Sequence, residues 1–476
     1  WDNDIHYRRY NIDCLSPRIS ILRKMIYFYY LCIKGVFKKA NPSQSKKICI
    51  ELHQREINLK DITDLYWAKY SKTKKENMIF FSYVNWNENS SKILREFGVE
   101  NINASTLPIS IKDFIKIILL IPRLTYFFMK FYSFDSWQKF NNEFFLIKLI
   151  YYNSIYSFFN INFLFSMTDF DDDKFIKSQA IENNNGLTSS SHWSNVNINH
   201  IIYQKFCDIL FTWSSHFQTT FYYDYSYLKT YYVGYPNDHT FNFIERLKKD
   251  NTKKYAIGYM DNIVSNDLNY HSSHIKRVYK MFFELLHKYP NIILFTKPKT
   301  KYYYEEFLKQ SSEMQRFVEE KRIVAFFGST NDLIGNVKMS PAKFSNICNL
   351  VISQGLSSAG AEAAFFGAKS FHYDNSELSE NNEFGKVGLN KVVFEKIENL
   401  KFAIEKEINS QNDNLEEIKR CHSVLDKYQD GKSGKRTALI IDTIYENFDC
   451  LKNIDKTLAA VEKIIAQNND LFKENY

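Results

Sequence analysis

The segment whose residues most clearly suggest a chemical role runs from Ser353 to Ala363 and reads SQGLSSAGAEA. It follows the apolar stretch NLVIS and opens a run of small residues that is typical of a helix. Gly355 permits a tight turn with positive φ, and Ser357 or Ser358 can cap the helix that follows. Because the first N–H groups of a helix favour an anion, this segment predicts an anion-binding turn. The same residues also suit an ordinary capped helix packed on a sheet.

Three further groups follow predicted elements. Glu362, one turn into the helix, is placed to accept hydrogen bonds from ribose hydroxyls. Lys297 and Lys299 flank a proline directly after NIILFT, and two cations there suit a phosphate or carboxylate, although a solvated loop is the alternative. Asp261 and Asn262 end the strand YAIGYM, where Asp261 can orient a sugar hydroxyl or act as a base; an Asp-Asn turn fits equally well.

His192 is the candidate in the other half of the chain. It lies in the sequence SSHWS, after a loop that contains Gly186. A histidine there can act as a general base or donate to a substrate phosphate, but a histidine beside a tryptophan is also typical of a structural position. No Walker, G-x-S-x-G or G-x-G-x-x-G fingerprint is present, and the seven cysteines include no CxxC pair. The sequence therefore predicts neither a bound metal nor a disulfide framework.

Alternating strands and helices position these residues. After residue 253 the apolar runs predict strands, which are Tyr255–Met260, Asn291–Thr296, Ile323–Phe327, Asn349–Ser353 and Lys369–Tyr373. Helices are predicted between them, over Ser273–Lys288, Tyr303–Lys321, Pro341–Ile347 and Ser358–Phe366. This alternation indicates βαβ crossovers and a doubly wound parallel sheet. In the first half three strands are predicted, over Met78–Tyr83, Asn162–Met167 and Asp208–Trp213. Gly234 and Pro236 in the sequence YYVGYP then indicate a further strand end and a domain boundary.

Composition and charge exclude several classes of protein. The chain has 476 residues, of which 45% are apolar and 24% charged, so it is neither disordered nor collagenous. The net charge of +8 permits an anionic partner, but Lys and Arg are scattered and no basic stripe predicts nucleic-acid binding. The sequence shows no secretory signal pattern, and its cysteine usage favours a reduced, cytoplasmic compartment.

Two apolar stretches, residues 19–37 and 114–134, carry several Lys and Arg. A spanning helix needs ~20 nearly uncharged residues, so both stretches predict basic amphipathic helices instead. Such helices can lie on an anionic membrane surface or pack on the core with their long cations reaching solvent.

The segment NLVISQGLSSAGAEAAFFGAKSFHYDN resembles the donor site of GT-B glycosyltransferases. Together with DILFTW, VGYP, YAIGYMDN, FTKPK and YQDGK, it is similar to bacterial surface-polysaccharide biosynthesis proteins, especially the group named for a Pro-Phe-Thr-Ser motif. The resemblance covers roughly residues 177–445. Where that motif stands, this chain has Gly355-Leu356-Ser357-Ser358, which lacks the Pro and Phe.

The resemblance implies two Rossmann-like domains that face each other across a cleft. The implied organisation is residues 1–235 as an acceptor-side domain, 236–445 as the nucleotide-sugar domain and 446–476 as a helix crossing back to the first domain. It further implies metal-independent sugar transfer to a glycan or lipid-linked acceptor, at the inner face of the cytoplasmic membrane.

In this assignment the two serines of the turn and the two lysines bind the donor phosphates, and Glu362 binds the ribose. Gly355 and Asn262 complete the donor site, while Asp261 and His192 lie near the transferred sugar and the acceptor. Two alternatives remain open: a sugar-nucleotide epimerase on the same fold, and a non-catalytic protein that binds an anionic polymer.

Overall fold

We describe the protein from a computed structural model. The described residues are 17–36, 45–52, 65–82, 88–103, 109–130, 134–167, 173–192, 194–195, 206–217, 228–246, 254–262, 272–299, 301–327, 339–376, 382–409, 414–449 and 453–475. The predicted strand end at Tyr83 and the residue Trp193 lie outside these ranges.

Two parallel sheets organise the described chain. The first has the order β3-β2-β1-β4-β5-β6-β7 and the second β10-β9-β8-β11-β12-β13. The strands of the first are β1 (Lys47–Leu52), β2 (Met78–Ser82), β3 (Glu100–Asn103), β4 (Ile161–Ser166), β5 (Leu187–Ser190), β6 (Ile209–Thr212) and β7 (Lys229–Tyr232). Those of the second are β8 (Tyr255–Met260), β9 (Ile292–Lys297), β10 (Ile323–Ala325), β11 (Leu350–Gln354), β12 (Ser370–Tyr373) and β13 (Val393–Phe394).

Helices cover both sheets. In the first half they are α1 (Pro17–Val36), α2 (Glu88–Phe97), α3 (Ile111–Met129), α4 (Phe134–Phe158) and α5 (Lys174–Asn183). In the second half they are α6 (Ser272–Lys288), α7 (Lys301–Gln310), α8 (Ser312–Glu319), α9 (Pro341–Asn346), α10 (Ser358–Phe365), α11 (Glu383–Gly388), α12 (Ile397–Asn409) and α13 (Leu415–His422). The C-terminal helices are α14 (Ser433–Asn447), α15 (Ile454–Gln467) and α16 (Asn469–Phe472).

The order of each sheet reverses beside its first strand, which is the doubly wound arrangement of a Rossmann-like domain. In the second sheet the reversal lies between β8 and β11, which pair in parallel from Leu350 opposite Ile257 to Ser353 opposite Met260. Ligands bind such sheets outside the carboxyl ends of the strands at this switch point. The predicted α/β class with two Rossmann-like domains is confirmed.

Alternation along the strands builds the two hydrophobic layers of the first domain. Ile48 and Ile50 of β1 face the layer that contains Ile441 and Ile444 of α14. Cys49, between them, faces the opposite layer, which includes Ile117 of α3. Successive strand residues point to opposite faces of a sheet, so one strand serves both layers.

The helix predicted over Tyr303–Lys321 is wrong in its continuity, because the structure has α7 and α8 in its place. Ser311 separates them with an extended backbone, and its hydroxyl accepts a hydrogen bond from the Met314 N–H. A serine favours this N-cap geometry over a helix interior, because its side chain replaces a missing backbone partner. Strands β1, β3, β5 and β13 were not predicted.

Helix α14 begins at Ser433 and packs on the first sheet, although it follows the second sheet in the chain. The predicted boundary at residue 445 therefore falls near the end of this helix. The fully buried Arg436 holds α14 in this position. Its guanidinium donates to the carbonyl of Val233 (3.2 Å) and to that of Leu471 (2.7 Å). It also pairs with Asp430 at 2.5 Å and lies 3.6 Å from the Tyr428 ring centroid.

The motifs VGYP and YQDGK thus meet at the junction of the two domains. The Asp426 carboxylate accepts from the N–H groups of Tyr235 and Tyr428, each at 2.9 Å. Gly234 has φ +88°, and a Cβ there would lie 3.3 Å from the Asp426 carboxylate. Glycine is required for that left-handed backbone at so close an approach.

None of the helices in the described ranges is long and apolar enough to cross a membrane.

Candidate functional site

A cavity of about 310 Å³ opens at the carboxyl ends of β8, β9 and β11. Seven of the residues singled out in the sequence line it: Asp261, Asn262, Lys297, Lys299, Ser357, Ser358 and Glu362. The lining also includes Tyr235, Asn237, Met260, Pro341 and Ala359. The gathering follows from topology, because the loops after neighbouring parallel strands meet at one edge of the sheet.

The turn after β11 delivers the start of α10 to this cavity. Gly355 has φ +71°, and its N–H donates to the Tyr373 carbonyl at 2.7 Å, so it shapes the turn without lining the cavity. Ser357 is the N-cap, with its hydroxyl accepting from the Gly360 N–H at 3.3 Å. Ser358 and Ala359 then present the first turn of the helix to the cavity, where its dipole favours negative charge.

Ser357 is the first member of a series of buried polar contacts. Its hydroxyl lies 2.9 Å from that of Ser353, which lies 3.3 Å from Nδ1 of His372. Nε2 of His372 lies 3.1 Å from Nε2 of His422, and Nδ1 of His422 donates to the Ile418 carbonyl at 2.8 Å.

The two imidazole rings also face backbone carbonyls. Because the Ile418 carbonyl only accepts, His422 carries its proton on Nδ1. Nδ1 of His372 lies 3.1 Å from the Gly355 carbonyl as well as 3.3 Å from the Ser353 hydroxyl. Burial, reinforced by the neighbouring imidazole, lowers the pKa of His372 to about 3. Burial also lowers the pKa of His422 to about 4, so both rings are neutral. The Ser357 hydroxyl is thus engaged by the Gly360 N–H and by the Ser353 hydroxyl, while Ser358 lines the cavity at the first position of α10.

Asp261 lines the cavity together with the two lysines and the first turn of α10. Its carboxylate accepts a short hydrogen bond from the backbone N–H of Lys299. Burial raises the pKa of Asp261 to about 7, against the opposing effects of that hydrogen bond and of the Lys297 and Lys299 charges. A carboxyl with this pKa exchanges a proton near neutral pH, as a general base or acid must. Asp261 also reaches a second cavity of about 160 Å³, lined by tyrosines of α6 and α7.

Both carboxylate oxygens of Glu362 accept hydrogen bonds from the protein, which the sequence did not indicate. One of its oxygens accepts from the Ala342 N–H at 3.0 Å and the other from the Tyr235 hydroxyl at 2.7 Å. The side chain is 6% exposed and still lines the cavity. A carboxylate has about four acceptor sites, so the predicted contact with a ribose stays open as a prediction.

Tyr235 and Asn237 are site residues that sequence reasoning missed. Both follow Gly234 in the VGYP segment, whose glycine and proline indicated only a strand end and a domain boundary. Asn237 donates to the Tyr235 hydroxyl at 3.1 Å, while its own Oδ1 has no hydrogen-bond partner among the described residues. An unsatisfied buried acceptor beside a cavity suits a donor group on a ligand.

His192 does not line this cavity. It is fully buried, stacked on Trp213 with ring centroids 4.9 Å apart and packed against Phe217 at 4.5 Å. Its Nδ1 lies 2.8 Å from the Ser194 carbonyl, and its own carbonyl accepts from the indole N–H of Trp213. The structure thus places His192 in an aromatic cluster, the structural position that the sequence left open.

The loop after β5 nevertheless reaches the second domain. Asn195 donates to the Leu356 carbonyl at 2.9 Å, next to the turn that starts α10. Ser214 donates to the Val424 carbonyl at 2.6 Å. These bonds join the two domains. Among the described residues, no three His, Cys, Asp or Glu side chains come together as a metal site would require.

No protein-family model matches the sequence, and neither does any curated protein. Solved structures do match. A UDP co-structure of MnaA from S. aureus aligns at 13% identity with a TM-score of 0.52, over 84% of this chain and 97% of that one. The chain has the GT-B fold.

Two further solved structures align with most of the chain. A putative UDP-N-acetylglucosamine 2-epimerase from Listeria monocytogenes aligns at 12% identity with a TM-score of 0.51, over 86% of this chain and 98% of that one. A glycosyltransferase from Rickettsia africae ESF-5 aligns at 11% identity with a TM-score of 0.47, over 85% and 100%. Likeness at these identities extends to the fold alone, and membership of the Pro-Phe-Thr-Ser group stays a prediction.

Proposed function

We propose that this protein is a glycosyltransferase that takes a nucleotide-sugar into the cavity at the start of α10. The observation that carries the proposal is the convergence of a helix N-terminus, two lysines and a carboxyl with a pKa near neutrality around about 310 Å³. A space of this size is at the lower end of small-molecule sites.

The donor diphosphate fits the part of the cavity formed by Ser358, Ala359 and the lysines. The N–H groups of the first helical turn, together with Lys297 and Lys299, offset the charge that develops on a departing nucleoside diphosphate. Glu362 and Asn237 supply acceptors for ribose or base donors on the same wall. This chemistry needs preorganised donors rather than a bound metal.

In transfer, an acceptor oxygen forms a bond to the anomeric carbon, and the bond from that carbon to the phosphate oxygen breaks. The nucleoside diphosphate leaves with the bonding electrons, and the acceptor proton passes to a base. We assign that base to Asp261, whose raised pKa suits the task and which lines the cavity. We do not assign the catalytic base to His192, because that side chain is buried in the aromatic cluster. The acceptor class, a surface glycan carried on a lipid, rests on the sequence resemblance.

An epimerase that acts on the nucleotide-sugar itself is the second candidate. It is favoured by two structural neighbours, of which one is a UDP complex and the other is described as a putative UDP-N-acetylglucosamine 2-epimerase. Asp261 also suits proton transfer at a sugar carbon. The two candidates differ in what they consume, because an epimerase needs no acceptor.

The first test is thermal shift with UDP-, GDP-, CDP- and CMP-linked sugars. We expect one nucleotide class to raise the melting temperature. Lys299→Gln and Ser358→Ala should reduce that shift, since each removes a donor from the phosphate wall. Lys309→Gln and Ser312→Ala are the matched controls: Lys309 is an exposed lysine of α7, and Ser312 is the first residue of α8. If none of the nucleotide-sugars raised the melting temperature, both enzymatic candidates would be contradicted.

The second test separates the candidates by turnover. Incubation with the stabilising donor alone, followed by NMR of the sugar, detects epimerisation. Release of the nucleotide only when a lipid-linked glycan extract is added supports transfer. Salt-sensitive binding of an anionic polymer, equal in wild type and Ser358→Ala, would instead favour the non-catalytic alternative.

A further inference from the structure

Helix α3 is apolar on two sides. Its inner side packs in the core through Ile117 and Leu124, both fully buried. Its outer side carries a second apolar row, which we call the α3 stripe: Ile111, Ile115, Ile118, Leu119, Tyr126 and Met129. Leu119 is 69% and Met129 71% exposed. At 3.6 residues per turn these six positions span about 100° around the helix axis, so the stripe lies on one side of the helix.

Scattered exposed apolar residues are ordinary, but these are concentrated. Half of the exposed large apolar side chains of the described chain lie on α1 and α3. The α1 contribution is Ile26, Tyr30 and Ile33. The end of α1 adjoins the start of α3, where the Ile109 N–H donates to the Gly35 carbonyl at 3.3 Å.

Basic residues flank the stripe on one side. They are Lys112, Lys116, Arg123 and Lys130, all exposed. At 3.6 residues per turn they fall within about 40° of one another around the helix axis, next to the stripe. Asp113 is the one acidic residue of α3, and it is engaged by Ser110 and Lys116 at 2.7 Å each. Arg123 pairs with Glu143 of α4 at 2.6 Å, so Lys112 and Lys130 are the cations of the row that have no carboxylate partner among the described residues. The solvent-exposed face of a helix is ordinarily polar, so an exposed apolar row beside a basic row indicates a binding surface.

We propose that the α3 stripe docks this protein on the surface of an anionic lipid bilayer, a role independent of the nucleotide-sugar proposal. The apolar row enters the boundary between headgroups and acyl chains, and the basic row contacts the phosphates. An apolar protein surface would leave Lys112 and Lys130 without counter-charges, whereas lipid phosphates supply them, so charge complementarity selects the anionic bilayer as the occupant. The helix lies on the bilayer, since α3 is not a spanning segment.

Vesicle flotation tests the proposal, with phosphatidylcholine vesicles compared with vesicles that also contain phosphatidylglycerol. We expect binding to the anionic vesicles that weakens at high salt. The double variant Ile115→Gln/Leu119→Gln should weaken it about tenfold or more, because two half-exposed aliphatic side chains no longer enter the bilayer. Lys112→Gln/Lys130→Gln should reduce the salt dependence, because these two cations have no carboxylate partner among the described residues.

Matched controls keep the result specific. Phe402→Gln replaces a 71% exposed apolar residue of α12, and Lys280→Gln/Lys309→Gln removes two exposed lysines elsewhere. All controls should bind as wild type does. Equal binding by stripe and control variants, or no preference for anionic vesicles, would overturn the proposal. So would a dimer that the stripe variant converts to a monomer, since a second copy would then cover this face. Nucleotide thermal shifts, measured without lipid, report separately on folding and on the proposed function.

Discussion

His239 provides a direct test of the domain junction through the pH dependence of stability. It is 2% exposed, two residues from Asn237, and its Nδ1 donates to the Pro236 carbonyl at 2.8 Å. Burial, aided by the charge of Lys69 and opposed by that carbonyl, lowers the pKa of His239 to about 4. An unfolded histidine titrates near ~6.5. The native state therefore binds fewer protons than the unfolded chain between these values.

The sign and the magnitude follow from this difference. Stability from the neutral ring is present at neutral pH and is lost as the pH falls below the unfolded value towards about 4. At a pH of about 5.5 the loss amounts to about 1.4 kcal/mol, because the unfolded ring is by then mostly protonated and the native ring is not. At a pH of about 7.5 it is close to zero by the same relation.

Urea denaturation at both pH values measures this contribution. The variant His239→Asn keeps an N–H donor for the Pro236 carbonyl and removes the titrating group. We expect its free energy of unfolding to fall by about 1.4 kcal/mol less than that of wild type between a pH of about 7.5 and about 5.5. The control Thr240→Ala removes a 2.8 Å hydrogen bond in the same segment but no titrating group. Its free energy of unfolding should therefore change with pH by the same amount as that of wild type. Parallel curves for wild type and His239→Asn would refute a buried neutral ring.

Two further substitutions test the junction and the site. Arg436→Leu should lower the free energy of unfolding by about 3–5 kcal/mol, because the buried Asp430 pair is broken, whereas Arg316→Leu on the exposed face of α8 should cost less than about 1 kcal/mol. Equal urea midpoints for the two variants would contradict the junction described above. Gly360→Ala would bring a Cβ to 2.5 Å from His372 and 2.6 Å from Ser353, so α10 must move away from β11. We expect a loss of about 1–3 kcal/mol in urea denaturation together with a smaller nucleotide-induced thermal shift; unchanged values for both would show that the helix start is not held as described.

Much of the second domain was predictable because its signals are local. The strand YAIGYM, the strand NIILFT and the turn after NLVIS each carry their own apolar run and terminating residues. Parallel pairing then brings their ends together whatever the details of packing, so Asp261, Lys297 and Ser358 meet at one cavity. The first domain was harder to predict. Strand β5 reads LTSS and is fully buried, so polarity concealed it, and β1 lies in a charged stretch.

What the sequence alone determined was the class of fold and the identity of the loops at the carboxyl edge of the second sheet, since both depend on residues close together in the chain. The tertiary structure decided the roles of residues whose partners are far away. Tyr235 reaches Glu362 across 127 positions, and His192 packs on Trp213 from another strand. Helix α14 returns to the first sheet because its apolar face matches a layer built some 400 residues earlier, for example Ile441 and Ile444 against Ile48. Burial and pKa values depend on such distant contacts, and no local pattern encodes them.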